Sequence, residues 1–244
     1  MRNIGALFAV SHSGGKDSQA MTVLLADLIP HDQLLFIHAP LDRVEWPGTV
    51  EHIRETIPSG IPLIFADVTS GKSLLDRIEE RGKFPDPARR WCTSDFKRGP
   101  IEREIRRWLK AHPRYQGKVV SCMGMRKDES PGRSKLIPFK LSPKNSKAGR
   151  LWYDWLPIHD KETQQVFDMI EEAGQVPHWA YAEGMTRLSC SFCIMASKKD
   201  LATAARLRPD LYREYVALEE RLNHTLSPSR KFLPEVIGTA NGRE

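Results

Sequence analysis

Two groups of residues have the types and spacing to do chemistry. The first is Ser13-Gly14-Gly15-Lys16-Asp17-Ser18, between an apolar run from Ile4 to Val10 and a helical pattern from Gln19 to Ile29. Adjacent glycines let the backbone turn tightly and approach a ligand, and the amides and dipole of a following helix start favour an anion. Lys16 adds a point charge, and Ser13 and Ser18 add hydroxyl donors. A Walker A loop is excluded, because Asp17 stands where Ser or Thr is required; Gly71-Lys72-Ser73 also fails, with Ala66 at the first-glycine position.

The second group is the four cysteines. Cys190 and Cys193 have the Cys-x2-Cys spacing that turns two thiolates toward one metal or cluster. Cys92 precedes a predicted helix, and Cys122 sits near the end of a predicted strand, where open α/β sheets place ligands. A fold that gathers all four suits either an iron-sulfur cluster or tetrahedral Zn2+. Alternatively, Cys122 is a small buried hydrophobe.

The elements that must position these groups alternate. Strands are expected at Ile4 to Val10, Leu34 to His38, Pro62 to Ala66 and Lys118 to Met123, with helices at Gln19 to Ile29, Thr49 to Thr56 and Ile101 to Leu109. This is the pattern of an α/β fold: an open, mostly parallel twisted sheet with helices on both faces. Residues 131–150, rich in Pro, Ser, Gly and Lys, read as a surface loop, and Lys161 to Ala173 and Leu211 to Asn223 as helices. The expected division is a nucleotide-binding domain over 1–160 and a mainly helical region over 161–244 that carries the Cys-x2-Cys pair.

With 244 residues, 40% hydrophobic and 28% charged, the chain can bury a large core without disulfide staples. No apolar run approaches the roughly 18 residues of a membrane-spanning helix, and the N-terminal run lacks a signal-peptide cleavage site. A cytoplasmic location is expected. The net charge is +6, and the segment from Arg126 to Arg150 alone carries that excess, with eight cations against Asp128 and Glu129. It suits a phosphate backbone, with Trp152 and Tyr153 as stacking surfaces, or equally a solvated loop.

The loop resembles the PP-loop of the adenine nucleotide alpha-hydrolase-like superfamily. His38-Ala39-Pro40-Leu41-Asp42 through Thr49 is similar to the segment after the second strand in phosphoadenosine-phosphosulfate (PAPS) reductase-like proteins. Trp91-Cys92-Thr93 with Lys97 and Pro100, Gly124 to Ser130, Trp155 to Asp160, and Tyr181 to Gly184 ahead of Cys190-Ser191-Phe192-Cys193 continue the resemblance over residues 4–196. It implies a nucleotide site formed by Ser13 to Ser18 with His38, Asp42, Lys97, Gly124 and Arg126. It also implies a 4Fe-4S cluster on the Cys92 region and the Cys-x2-Cys pair, with Cys122 as the fourth ligand because Trp91 replaces the second cysteine of a tandem.

Sulfonucleotide reductases of this family attack with a cysteine in a Glu-Cys-Gly-x-His segment, and none follows Cys193 here. The resemblance is therefore nearest to the ATP-pyrophosphatase component of DNA phosphorothioation systems and to cluster-bearing tRNA thiolases. It implies cleavage of ATP to AMP and pyrophosphate to activate DNA or tRNA for sulfur replacement, with sulfur from a donor such as a cysteine desulfurase. Lys16, Asp17 and Arg126 are then the catalytic set: Lys16 and Arg126 offset charge at the α-phosphate, and Asp17 or Asp42 holds Mg2+. Two other readings stand beside it: sulfonucleotide reduction with a partner's thiol, and a non-catalytic nucleotide or nucleic-acid binder.

Overall fold

The computed structural model describes residues 1–68 and 71–238. The strands are β1 (Leu7–Ser11), β2 (Leu34–His38), β3 (Leu63–Phe65), β4 (Lys118–Cys122), β5 (Phe139–Leu141) and β6 (Leu151–Trp155). They form one sheet in the order β3-β2-β1-β4-β6-β5, parallel throughout except for the β5–β6 pair. The order reverses at β1, where β2 lies on one side and β4 on the other, which is the switch point at which open α/β sheets bind ligands. The helices are α1 (Lys16–Leu28), α2 (Thr49–Thr56), α3 (Leu74–Arg81), α4 (Trp91–Thr93), α5 (Gly99–Ala111), α6 (Pro131–Ser134), α7 (Thr163–Glu172), α8 (Lys198–Leu207), α9 (Pro209–Leu222) and α10 (Leu233–Gly238).

The chain divides into two compact units. The first comprises Met1–Ala39, Gly48–Ala66 and Ile101–His178, and the second Pro40–Pro47, Asp67–Pro100 and Trp179–Glu244. The division thus does not follow a single boundary near residue 160. Helix α7 packs with the sheet, while the chain around Asp42 and Cys92 joins the C-terminal helices.

In the first unit the alternation of a strand separates two cores. Phe8 and Val10 of β1, with Leu34, Phe36, Val120 and Cys122, pack with Met21 and Leu25 of α1 and Val166 and Ile170 of α7. Leu7 and Ala9, with Leu35, Ile37 and Val119, face the opposite way onto Ile105 and Leu109 of α5 and onto Trp152. Strands buried on both faces read as continuous apolar runs, which is why β1, β2 and β4 were legible. The second unit has its own core, including Trp46, Phe84, Phe96, Phe192, Tyr215 and Leu233.

Two expectations are corrected. Residues 131–150 are not one irregular loop, since they contain α6 and the edge strand β5. Trp152 is no stacking surface, being 1% exposed in the core, and Tyr153 stacks on Phe139 with ring centroids 4.9 Å apart.

Candidate functional site

In the first unit β1 delivers the chain into the glycine loop. Gly14 takes φ +75°, a left-handed conformation open to glycine, and Gly15 caps the helix that starts at Lys16. The loop is held from within. The Ser13 amide donates to Ser18 Oγ (3.2 Å), which itself donates to the Gly15 carbonyl (2.8 Å), and the Gly14 amide donates to Nδ1 of His12 (3.1 Å).

Asp17 sits in the first turn of α1 with both carboxylate oxygens engaged. Lys16 Nζ donates to Oδ2 at 3.0 Å and Arg126 Nε to Oδ1 at 2.5 Å. Arg126, 2% exposed, also donates to both oxygens of Asp128 at 2.7 Å, to the Lys161 carbonyl and to Thr163 Oγ1. Burial alone would lower its pKa, but the neighbouring carboxylates of Asp17 and Asp128 and the bonds to them leave it raised, so the guanidinium stays charged. Its fork is therefore committed to fixing Asp17 against the loop that follows β4. Gly124 makes that approach possible, because a Cβ there would stand 3.0 Å from the Asp17 backbone and 3.2 Å from the Ser18 nitrogen.

His38, at the end of β2, is 1% exposed and bonds through Nδ1 to the carbonyl of His12 at 2.9 Å. His12 itself was missed in the sequence, although it directly precedes Ser13. It is 2% exposed, its Nε2 has no hydrogen-bond partner, and burial, reinforced by His38 and His52, lowers its pKa to about 3. A neutral ring is what lets Nδ1 accept from Gly14.

In the second unit one pocket is lined by Cys92, Cys190 and Cys193 together with Arg90, Lys97 and Arg187. A π-turn over Ser94–Arg98 separates α4 from α5. In a regular α-helix, residues five apart point about 140° from each other; the wider turn brings Cys92 and Lys97 to one lining. Gly99 closes that turn, with its amide on the Ser94 carbonyl and room for no Cβ, which would lie 2.8 Å from that oxygen. The Cys190–Cys193 loop is tied by the Ser191 amide to the Val44 carbonyl (2.8 Å) and by Arg208, which donates to Ser191 Oγ (2.9 Å) and to the carbonyls of Glu45 and Arg43.

Burial raises the Cys92 thiol and pushes Cys190 up to about 12; Cys193 adds to both, and Lys97 opposes both. Among the described residues no three His, Cys, Asp or Glu side chains are gathered closely enough to chelate a single ion. Cys122, by contrast, is fully buried in the first unit among Phe8, Val10 and Val120, its thiol raised by burial alone. That is the environment of a small hydrophobe. Asp42 belongs to the second unit, exposed at φ +48°. The nucleotide residues expected from sequence thus divide: Ser13 to Ser18, His38, Gly124 and Arg126 lie in the first unit, and Asp42 and Lys97 in the second.

The sequence matches the phosphoadenosine phosphosulfate reductase domain over residues 8–196. The chain belongs to that family. With the strand order, this makes its fold a PP-loop, Rossmann-type α/β architecture. Among curated relatives, an uncharacterized protein of Methanocaldococcus jannaschii is 26% identical over 215 residues, 88% of this chain and 48% of that one. An uncharacterized 37.8 kDa protein of Escherichia phage 186 is 28% identical over 198 residues, 78% of this chain and 57% of that one. The chain spans about half the length of the curated relatives it matches.

Similar solved structures include the PAPS reductase of Candida auris in a phosphate complex (15% identity, TM-score 0.48, covering 75% of this chain and 80% of that one). Another is the U34-tRNA thiolase NcsA of Methanococcus maripaludis with its 4Fe-4S cluster (17% identity, TM-score 0.44, covering 98% and 72%).

Proposed function

We propose that this member of the PAPS reductase domain family binds ATP with Mg2+ and cleaves it to AMP and pyrophosphate, activating a nucleic acid for sulfur modification. The observation that carries the reading is the construction around Asp17: a phosphate loop at a helix start, with a carboxylate fixed beside it by Lys16 and Arg126. The first-turn amides of α1 have no helical acceptor and suit pyrophosphate oxygens. Each Asp17 oxygen accepts one donor in the structure and has capacity left for a cation or its waters. Lys16 is near enough to follow the negative charge as it moves onto the leaving pyrophosphate.

The bond accounting is simple. A nucleic-acid oxygen forms a bond to the α-phosphorus as the Pα–O–Pβ bond breaks and pyrophosphate leaves. Sulfide then forms a bond to the activated carbon or phosphorus of the acceptor as that atom's bond to the adenylylated oxygen breaks and AMP leaves with the oxygen, so the exchange needs no oxidant or reductant.

Cys92, Cys190 and Cys193 fit a 4Fe-4S cluster. Burial raises the thiols of Cys92 and Cys190, so a positive centre that takes thiolates offsets that cost, and a cluster spreads its ligands over several irons, which suits three cysteines sharing a lining without meeting at one ion. When bound, the cluster supplies redox or sulfur-carrying chemistry, while Arg90, Lys97 and Arg187 balance its thiolate charge. The fourth position is left to a ligand other than Cys122. Zn2+ is the competing occupant.

The test is production of AMP and pyrophosphate from ATP with Mg2+, with and without nucleic acid and sulfide. Turnover lost in Lys16→Ala and Asp17→Asn is the expected result. Binding of ATP without turnover would leave a nucleotide-binding protein. The family match keeps one second reading in the assay: release of sulfite from adenylyl sulfate or PAPS with an added thiol would make the chain a reductase.

A further inference from the structure

A groove of about 540 Å³ lies in the first unit, between α5 and the turn that leads into β6. Five cations line it: Arg103, Arg106, Arg107 and Lys110 from α5, and Arg150 from the turn. Two carboxylates lie against this wall. Glu104 accepts from Arg103 (2.9 Å) and Arg107 (2.8 Å), and Glu102 stands 3.9 Å from Arg106 and 3.2 Å from Lys144. Positive charge remains in excess, and no carboxylate lies within ion-pair distance of Lys110 or Arg150 among the described residues.

Apart from Leu109 of α5, the lining between these walls is the chain around Gly117 and Ala148-Gly149. Gly117 (φ +68°) and Gly149 (φ +76°) bring two turns together so closely that a Cβ on Gly117 would meet the Gly149 carbonyl at 2.7 Å, and the Leu151 amide bonds to the Gly117 carbonyl at 3.0 Å. Ala148 takes φ +53° to complete the turn. The result is a side-chain-poor channel between rows of guanidinium and ammonium groups. No aromatic ring lines it, so it offers no platform for stacking unpaired bases.

We infer that this groove docks the phosphodiester backbone of a double-helical nucleic acid, without reading its sequence. Arginine forks bond phosphate oxygens in pairs, and contacts confined to the backbone fix position but carry no sequence information. Gly117 and Arg150 precede the amino ends of β4 and β6, whereas the phosphate loop follows the carboxyl end of β1. A five-residue strand spans roughly 17 Å, so a substrate engaged at both places is a macromolecule. The inference deepens the proposed function by naming its substrate as helical, and it relocates the contact expected on residues 126–150. There Arg126 is buried on Asp17 and Asp128, Arg133 pairs with Glu129, and Arg150 alone of the segment's cations lines the groove.

The experiment measures binding of the full chain to a 20-base-pair DNA duplex, its RNA counterpart and the single strands by fluorescence anisotropy across salt concentrations. A combined Arg106→Gln, Lys110→Gln, Arg150→Gln variant is expected to bind duplex at least about tenfold more weakly, with the slope of log affinity against log salt shallower by about three. Lys135→Gln with Lys140→Gln, exposed cations outside the groove, is expected to change the slope by less than one, and thermal unfolding of both variants to match the parent. Unchanged duplex affinity in the triple variant, tighter binding of single strands than duplex, or binding of neither duplex by the parent overturns the inference. ATP cleavage is assayed separately: duplex bound through the groove with no turnover leaves the groove standing and removes the ATP reading.

Discussion

The phosphate loop and the cysteine pocket solve opposite problems. Around the loop the charges are paired: Asp17 is held by Lys16 and Arg126, Arg126 by Asp128, and the Ser18 hydroxyl ties the Ser13 amide to the Gly15 carbonyl. Such a site is preorganised, so ligand binding reorders little. In the pocket, burial raises the thiols of Cys92 and Cys190, and Cys193, Arg90, Lys97 and Arg187 share the same lining. The loop's groups are thus paired within the protein, whereas the pocket gathers thiols and cations in one lining.

The largest effect should come from the pocket. After anaerobic purification, Cys92→Ser, Cys190→Ser and Cys193→Ser are each expected to lose most of the bound iron and sulfide and the broad absorption near 400 nm that an iron-sulfur cluster gives. Cys122→Ala should keep all three signals, because its thiol is packed in the core of the first unit. Loss of iron in Cys122→Ala at unchanged fold would restore a four-cysteine set and blur the contrast between the regions.

The next effects test the loop. Arg126→Leu removes a buried cation and leaves Asp17 and Asp128 facing each other, so a loss of about 3 kcal/mol in stability is expected from denaturant unfolding. ATP affinity should fall with it, because Asp17 loses the guanidinium that holds it beside the loop. Gly124→Ala is expected to cost about 1 to 3 kcal/mol, since the added methyl meets backbone that cannot rotate away. Its unfolding midpoint and its ATP affinity should drop together. A variant with normal ATP affinity would show that the close approach is dispensable.

Much of this was written in the sequence, and the reasons differ by element. Strands β1, β2 and β4 announce themselves because burial on both faces demands unbroken apolar runs. The loop is legible because two glycines and a helix start impose a local geometry. Strands β5 and β6 were missed: β5 is three exposed residues at an edge, and β6 mixes Asp154 among aromatics. The cysteines show the limit most clearly. Spacing pairs Cys190 with Cys193, but only tertiary packing shows that Cys92 shares their lining, with a π-turn after it, and that Cys122 is packed in the core of the first unit. His12 was overlooked for a related reason. Its function lies in accepting a bond from Gly14 two residues on, and nothing in residue type distinguishes such a histidine from a core one.

His12 also offers the smallest and sharpest test of the preorganised loop. Its pKa is lowered from 6.5 to about 3, chiefly by burial, with His38 and His52 adding to the effect. A depressed histidine pKa means that the unfolded chain takes up a proton where the folded one does not. Its contribution is therefore complete above about pH 6.5 and is lost as pH falls toward 3, with a slope of about 1.4 kcal/mol per pH unit within that window. His12→Asn keeps an acceptor for the Gly14 amide and removes the titration, so stability between pH 4 and 6 should fall less steeply than in the parent. His52, also lowered by burial, retains part of the slope in both proteins. At pH 7.5 the variant should bind ATP much as the parent does, and His12→Phe, which has no acceptor for Gly14, should bind it more weakly. Equal pH slopes for parent and His12→Asn in urea unfolding would mean that the ring is not held neutral. The lock on Gly14 would then have to be sought in Ser18 alone, whose hydroxyl already bonds Ser13 and Gly15.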